Sequence, residues 1–380
     1  MPLEPKHLQI SRDLLAEIAA GKYGPAGRLP SEAQLGKRFG VSRPTVARAL
    51  RDLQEQGLIE RRVGSGTYMR SAPAPLSAPG GRHFGLMIPG LGTTEIFEAI
   101  CAELAGLARG YEYGLLWGSN ARPSAGQKAS VSEVEQWCEQ FIKRQVSGVF
   151  FAPFERVPEQ EEVNRHLAER LRQAGIAVVL LDRDLGPFPS RSECDLVGID
   201  NFAAGYMVGE HLLKLKSKRL TFIARPNSAP TINGRIAGVR EAMLDRGLSI
   251  PTDFLRVGEP DDPRFIQKLV EAEELDAAVC ANDQTAALLI RGLERKCIRV
   301  PRDIRVVGFD DVRLATLVSV PLTTVHQPCQ DIAVTAFRAM LERIAEPVLP
   351  ARSFGLTPRL VIRESCGAYS NESGRLDDSP

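Results

Sequence analysis

The 380-residue chain lacks any apolar run long enough to cross a bilayer. Stretches such as Ala177–Leu181 fall far short of the roughly 20 residues a spanning helix needs, so no membrane association is expected. Its first residues, Met1-Pro2-Leu3-Glu4-Pro5-Lys6, contain no apolar signal core, which leads us to expect a cytoplasmic protein. Cysteine is sparse and scattered, at positions 101, 138, 194, 280, 297, 329 and 366, with no CxxC pair. That pattern fits reduced thiols, not a disulfide framework. The five histidines show no metal spacing, and His326 with Cys329 is an isolated pair where a structural metal needs four ligands. There is no GxxxxGKS/T loop and no GxSxG elbow. Gly90-Leu91-Gly92 follows a strand, but Glu95 stands where a dinucleotide fingerprint needs its third glycine, and a carboxylate there would repel a pyrophosphate. No catalytic set, metal or cofactor is expected.

Net charge of one sign is missing as well: 48 basic residues face 47 acidic ones. The balance is local. Residues 1–70 carry 12 basic and 7 acidic residues, a surplus of five, while the remainder carries a deficit of four. Such asymmetry points to a nucleic-acid-binding module joined to something else. Composition is otherwise globular, with 43% hydrophobic and 25% charged residues. We expect a DNA-binding domain over 1–70, a Pro/Gly-rich linker over 71–82, a ligand-binding domain over 83–366 and a polar tail over 367–380.

The first module reads as a winged helix-turn-helix. Ile10, Leu14 and Ile18 give one helix an apolar face. Ser31 and Gln34 form a capping box for a second helix bearing Leu35 and Phe39. After Gly40, Ser42 is placed to cap a third helix with Pro44 in its first turn and a stripe of Val46, Leu50 and Leu53. Ser42, Arg43, Pro44 and Thr45 would then face base edges and phosphates in the major groove, and Arg43 is suited to a bidentate bond with guanine. Residues 58–69 read as two short strands around Gly64-Ser65-Gly66, a wing. The stretch closely resembles the DNA-binding domain of the GntR family of bacterial regulators, on Gly27-Arg-Leu-Pro-Ser-Glu32, Val41-Ser-Arg-Pro-Thr-Val46, Gly57-Leu-Ile59 and Gly64-Ser-Gly-Thr67. The resemblance implies DNA contacts by Arg43, Thr45 and Gly64, and the DNA-facing set becomes Ser31, Ser42, Arg43, Pro44, Thr45, Arg48, Gly64 and Ser65. Ala33 and Ala47 depart from the basic residues common at those positions, so the operator sequence does not carry over.

From residue 83 on, short apolar runs alternate with amphipathic stretches of helix length, the pattern of parallel sheets covered on both faces. Eight such runs, from Phe84–Ile88 to Ile304–Val307, are compatible with one large sheet, a barrel or two doubly wound lobes. Polar residues stand at the carboxyl ends of several runs: Asp182-Arg183, Asp200-Asn201, Asn282-Asp283 and Asp310-Asp311. In open α/β sheets that edge binds ligands, although Asp and Asn there also serve as helix caps. The region resembles the effector domain of LacI-type repressors, related to periplasmic sugar-binding proteins, on Leu180-Leu-Asp-Arg183, Arg235-Ile-Ala-Gly238, Ala281-Asn-Asp-Gln284, Val306-Val-Gly-Phe-Asp-Asp311 and Gln327-Pro328.

That resemblance implies an α/β fold: an N-terminal winged helix-turn-helix followed by a two-lobed, doubly wound periplasmic-binding-protein-like domain. It implies a cleft lined by Asp182, Arg183, Arg235, Asn282, Asp310 and Gln327, with Thr94, Glu95 and Phe97 in the first-loop region. The aromatic residue expected after Val257 is missing from Gly258-Glu-Pro-Asp-Asp-Pro263. The expected protein is a homodimeric, ligand-responsive repressor of carbohydrate-utilisation genes that reads a near-palindromic operator and is released by a sugar. The alternative is an activator, or a regulator answering to a non-sugar molecule such as a nucleobase. An uptake binding protein would have no use for residues 1–70, and a sugar-processing enzyme would need a catalytic set.

Overall fold

The computed structural model describes residues 6–19, 29–55, 59–62, 66–69, 82–91, 95–118, 129–157, 159–189, 191–271 and 275–369. The chain divides into two compact units, Met1–Ser77 and Ala78–Pro380.

In the first unit three helices, α1 (Lys6–Ala19), α2 (Glu32–Phe39) and α3 (Arg43–Glu55), precede an antiparallel pair, β1 (Ile59–Arg62) and β2 (Gly66–Met69). The capping box forms as read: Ser31 Oγ accepts from the Gln34 amide and Gln34 Oε1 accepts from the Ser31 amide. Gly40 closes α2 in the left-handed region at φ 62°, which permits the sharp turn into α3. Ile10, Leu14, Leu35, Val46, Leu50 and Leu53 are fully buried in one core. Leu29 joins it, and its amide bonds the Thr67 carbonyl, tying the wing to the helices. The side chain of Ile18 and the turn residues Gly64 and Ser65 lie outside the described residues.

The second unit holds two six-stranded sheets. One lobe is built from β3 (His83–Met87), α4 (Glu95–Gly110), β4 (Gly114–Trp117), α5 (Val131–Lys143), β5 (Gly148–Phe151), α6 (Gln160–Gln173), β6 (Ala177–Leu181) and β7 (Asp195–Ile199). The other is built from α7 (Asn201–Lys214), β8 (Leu220–Ala224), α8 (Thr231–Asp245), β9 (Leu255–Val257), α9 (Pro263–Glu271), β10 (Ala277–Cys280), α10 (Asp283–Glu294), β11 (Arg305–Asp310), α11 (Leu314–Leu317) and β12 (Thr323–His326). The chain then returns to the first lobe with α12 (Cys329–Ala345) and β13 (Ser353–Leu356), and ends in the second with β14 (Arg359–Val361).

The strand orders are β13-β7-β6-β5-β3-β4 and β14-β12-β11-β10-β8-β9, parallel throughout except for β14. Two doubly wound lobes thus settle the choice left open by the strand count. The chain crosses between them three times, at 199–201, 326–329 and 356–359. All eight apolar runs read from the sequence are strands. Four strands escaped notice: the edge strands β9, β13 and β14, whose residues are half-exposed, and β12, whose sequence Thr-Thr-Val-His is buried but shows no continuous apolar run.

Two devices lock the elements of the lobes together. α7 and α8 cross closely where Gly205 meets the Arg235 backbone and Gly238 meets that of Phe202; a Cβ on either would lie about 2 Å from a carbonyl oxygen. That approach sets Arg235 on the buried side of α8. In the first lobe Asp195, fully buried, is gripped by Arg343 and Arg352, joining β7 to α12 and β13. Among the described residues no helix is long and apolar enough to cross a membrane, and all seven cysteines are free.

Candidate nucleic-acid interface and effector cleft

On the first unit, Arg43 at the start of α3 exposes 75% of its side chain and faces Glu32 of α2 at 3.7 Å. A contact so exposed and so long costs little to exchange for a base edge. Ser42 Oγ and Thr45 Oγ1 stand 2.9 Å apart, so the two hydroxyls order one another at the helix entrance. Ser31, Pro44 and Arg48 are exposed. The opposite face of α3 carries Val46, Leu50 and Leu53 into the core, so the polar residues are turned outward by the packing of the apolar ones.

The second site lies where the carboxyl ends of the strands in the two lobes meet. Asp182, Arg183, Arg235, Asn282 and Asp310 line a single cavity with roughly 460 Å³ of space between protein atoms, part of it open to solvent. Arg183, 4% exposed, pairs with Asp182 at 3.1 Å and Glu155 at 3.0 Å, and lies over the Phe97 ring. Burial opposes its charge, yet Glu155 and Asp182 outweigh that and hold the guanidinium above its usual value. From the other lobe, Arg235 donates to Asn201 Oδ1 at 2.8 Å and to the Ala281 carbonyl at 2.6 Å, stacks on Phe309, and reaches Asp310 at 4.0 Å. Asp310 accepts from Gln327 Nε2 at 2.8 Å. Burial pushes the Asp310 carboxyl up to about 7; Arg235 draws it down and Asp182 pushes it further up.

Asp182 Oδ1 and Gln327 Oε1 are buried acceptors without a protein donor. Of the two, Asp182 lines the cavity, where a small molecule offering a hydroxyl proton would satisfy it while Arg235 and Arg183 donate back. Four of the ten non-glycine residues with positive φ among the described residues, Asp182, Asp310, Asp311 and Arg156, stand at or next to this cavity. Left-handed non-glycine residues concentrate where neighbouring structure holds a functional geometry in place.

Other expected residues are placed differently. Asn282 caps α10, its Oδ1 accepting from the Thr285 amide and hydroxyl, so it serves as a helix cap while also lining the cavity. Asp283, fully buried, accepts from the Thr324 hydroxyl and the Val312 amide, and burial together with Asp310 holds its carboxyl well above the usual range. Gly308 makes room for it. Phe97 lines a smaller adjoining cavity with Pro89, Ala152 and Phe154. Glu95 instead accepts from the Arg313 amide of the opposite lobe at 2.7 Å, bridging the two. Gln327 sits behind Asp310, and Thr94 lies outside the described residues.

Sequence reasoning missed Glu155, Arg156, Arg225 and Glu259. Arg225 follows β8 directly, so the rule that ligands sit at carboxyl strand ends would have found it. Glu155 and Arg156 lie beyond Pro153-Phe154, too far from the strand end for that rule. No aromatic ring is among the residues described as lining the main cavity.

Comparison with known proteins places both units. Residues 6–69 match the family described as bacterial regulatory proteins, gntR family, and residues 210–366 match the periplasmic binding protein-like domain. The arabinose metabolism transcriptional repressor of Geobacillus stearothermophilus is 25% identical over 371 residues, covering 95% of this chain and 97% of that protein. The HTH-type transcriptional repressor PurR of Haemophilus influenzae is 32% identical over 189 residues, 48% of this chain and 55% of that protein. Among solved structures, a transcriptional regulator CelR–cellobiose complex superposes with a TM-score of 0.63 at 22% identity, covering 89% of this chain and all of that one.

Proposed function

From a GntR-type DNA-reading head joined to a periplasmic-binding-protein-like body, we propose that the chain is a ligand-responsive transcriptional repressor of carbohydrate-metabolism genes. The observation that carries this reading is the meeting of buried acceptors and guanidiniums from two lobes in one cavity, within a chain that also presents a helix-turn-helix. The similarity to an arabinose metabolism repressor along nearly the whole length supports it. The residues assigned to DNA are Ser31, Ser42, Arg43, Pro44, Thr45, Arg48, Gly64 and Ser65. Those assigned to the effector are Asp182, Arg183, Arg235, Asn282, Asp310 and Gln327, with Phe97 beside them and Glu95 and Thr94 at the first loop.

The chain acts as a cytoplasmic homodimer. Two α3 helices enter half-sites about 34 Å apart on a near-palindromic operator. Effector binding closes the lobes and lowers operator affinity, and by linkage operator binding lowers effector affinity by the same factor. The test is a gel shift with DNA from upstream of the chain's own gene, repeated across a panel of sugars. Release by one of them, lost in Arg235→Ala, is the expected result; DNA binding that no sugar alters, with no sugar raising the melting temperature, would overturn the sugar reading.

A further inference from the structure

We infer that the effector is an anion-bearing polyol, a sugar carrying a phosphate or carboxylate group, whose charge is received by Arg156 and Arg225 in the cleft. This rests on the effector-cleft reading above and names its ligand class. Both arginines line the cavity. Arg225 holds Glu259 through Nε and Nη2, each at 2.7 Å, and Arg156 reaches the other oxygen of the same carboxylate at 3.6 Å. The two come from opposite lobes, and the Arg156 amide bonds the Asn227 carbonyl at 2.5 Å, so closure brings them together. One carboxylate therefore serves two guanidiniums. Burial and the like charge of Arg225 hold Arg156 below its usual value in spite of Glu259 and Glu155.

Glu259 is 44% exposed and sits in the short segment between β9 and α9. Its bridged carboxylate marks the geometry in which a ligand anion fits, since guanidinium forks bind carboxylate and phosphate alike. Elsewhere in the lining, Asp182 Oδ1 still lacks a donor, which suits a hydroxyl. Arg156 and Arg225 share the carboxylate of Glu259, while Arg183 and Arg235 stand beside Asp182 and Asp310, so a molecule with one anionic and one hydroxylated end has partners for both.

The experiment is calorimetric titration of the full chain with matched sets: ribose, ribose 5-phosphate and inorganic phosphate; arabinose and arabinose 5-phosphate; glucose, glucose 6-phosphate and glucuronate. The expected result is at least about tenfold tighter binding of a charged member than of its parent, with the preference collapsing in Arg225→Gln and in Arg156→Gln. The phosphate and uronate arms separate the two anion types. A parent sugar that binds as tightly as its charged partners overturns this inference and leaves the sugar-repressor reading standing. If neither sugars nor their charged forms bind to a chain that still shifts DNA, both fall.

Discussion

The two recognition surfaces handle arginine in opposite ways. In the head, Arg43 leaves three-quarters of its side chain in solvent and has one loose acidic neighbour. In the body, Arg183 and Arg235 are 4% exposed and held by carboxylates, a carbonyl and aromatic faces. The difference follows from what each must meet. A DNA groove is large and brings its own charge, so a reader gains by keeping its guanidinium free and solvated. A small molecule is enclosed, so its contacts are fixed before it arrives. Disorder at such buried groups would be paid for in binding affinity.

The contrast extends to stability, and substitutions can break it. The largest effect is expected at Asp195. Removing this buried carboxylate in Asp195→Ala strands Arg343 and Arg352 and should cost the body about 3–5 kcal/mol. Calorimetry should show the transition of the body falling while that of the head, whose core is the apolar cluster around Leu50, stays in place. Next comes Arg43→Ala, which should cost about 1–3 kcal/mol of specific operator binding and leave the melting temperature unchanged. A loss of fold instead would show that the residue is structural and not a reader.

Acid sharpens the comparison within the body. Burial alone would raise Asp195, but hydrogen bonds from Arg343 and Arg352 hold it below the usual range, so its contribution is present at neutral pH and lost on acidification through that lowered value. Asp310 runs the other way. With its carboxyl raised from 3.8 to about 7, the folded state binds the proton more tightly, and this contribution to stability declines as pH rises between those values. Asp310→Asn should flatten that decline in urea midpoints measured from pH 5 to pH 8. An unchanged slope would mean that Asp310 titrates normally. The smallest effect belongs to Glu95→Ala, which deletes one exposed link to the Arg313 amide and should weaken effector binding by at most about 1 kcal/mol.

The same contrast explains what could be read in advance. The head is local. Its capping box, its Gly40 turn and its Val46–Leu50–Leu53 stripe lie within about 25 residues, so spacing alone reports them. The central strands were legible for a similar reason, since β5, β6 and β8 are continuous apolar runs. The cleft is assembled from residues far apart in the chain. Asp182, Arg235 and Asp310 could be named because strand ends and family resemblance marked them. Arg156 and Glu259 could not, because their importance lies in a partner from the other lobe. Glu95 was read as a ligand contact and is found bridging the lobes, a role that only the folded chain discloses.

The central claim is that the buried cleft governs the exposed reader. It is tested most directly by measuring operator affinity of the full chain with and without the panel compound that most raises its melting temperature, and the affinity for that compound with and without operator. The account predicts an equal factor in both directions, of about 5–150, that disappears in Arg235→Ala. Operator affinity unchanged while the compound is demonstrably bound would contradict it.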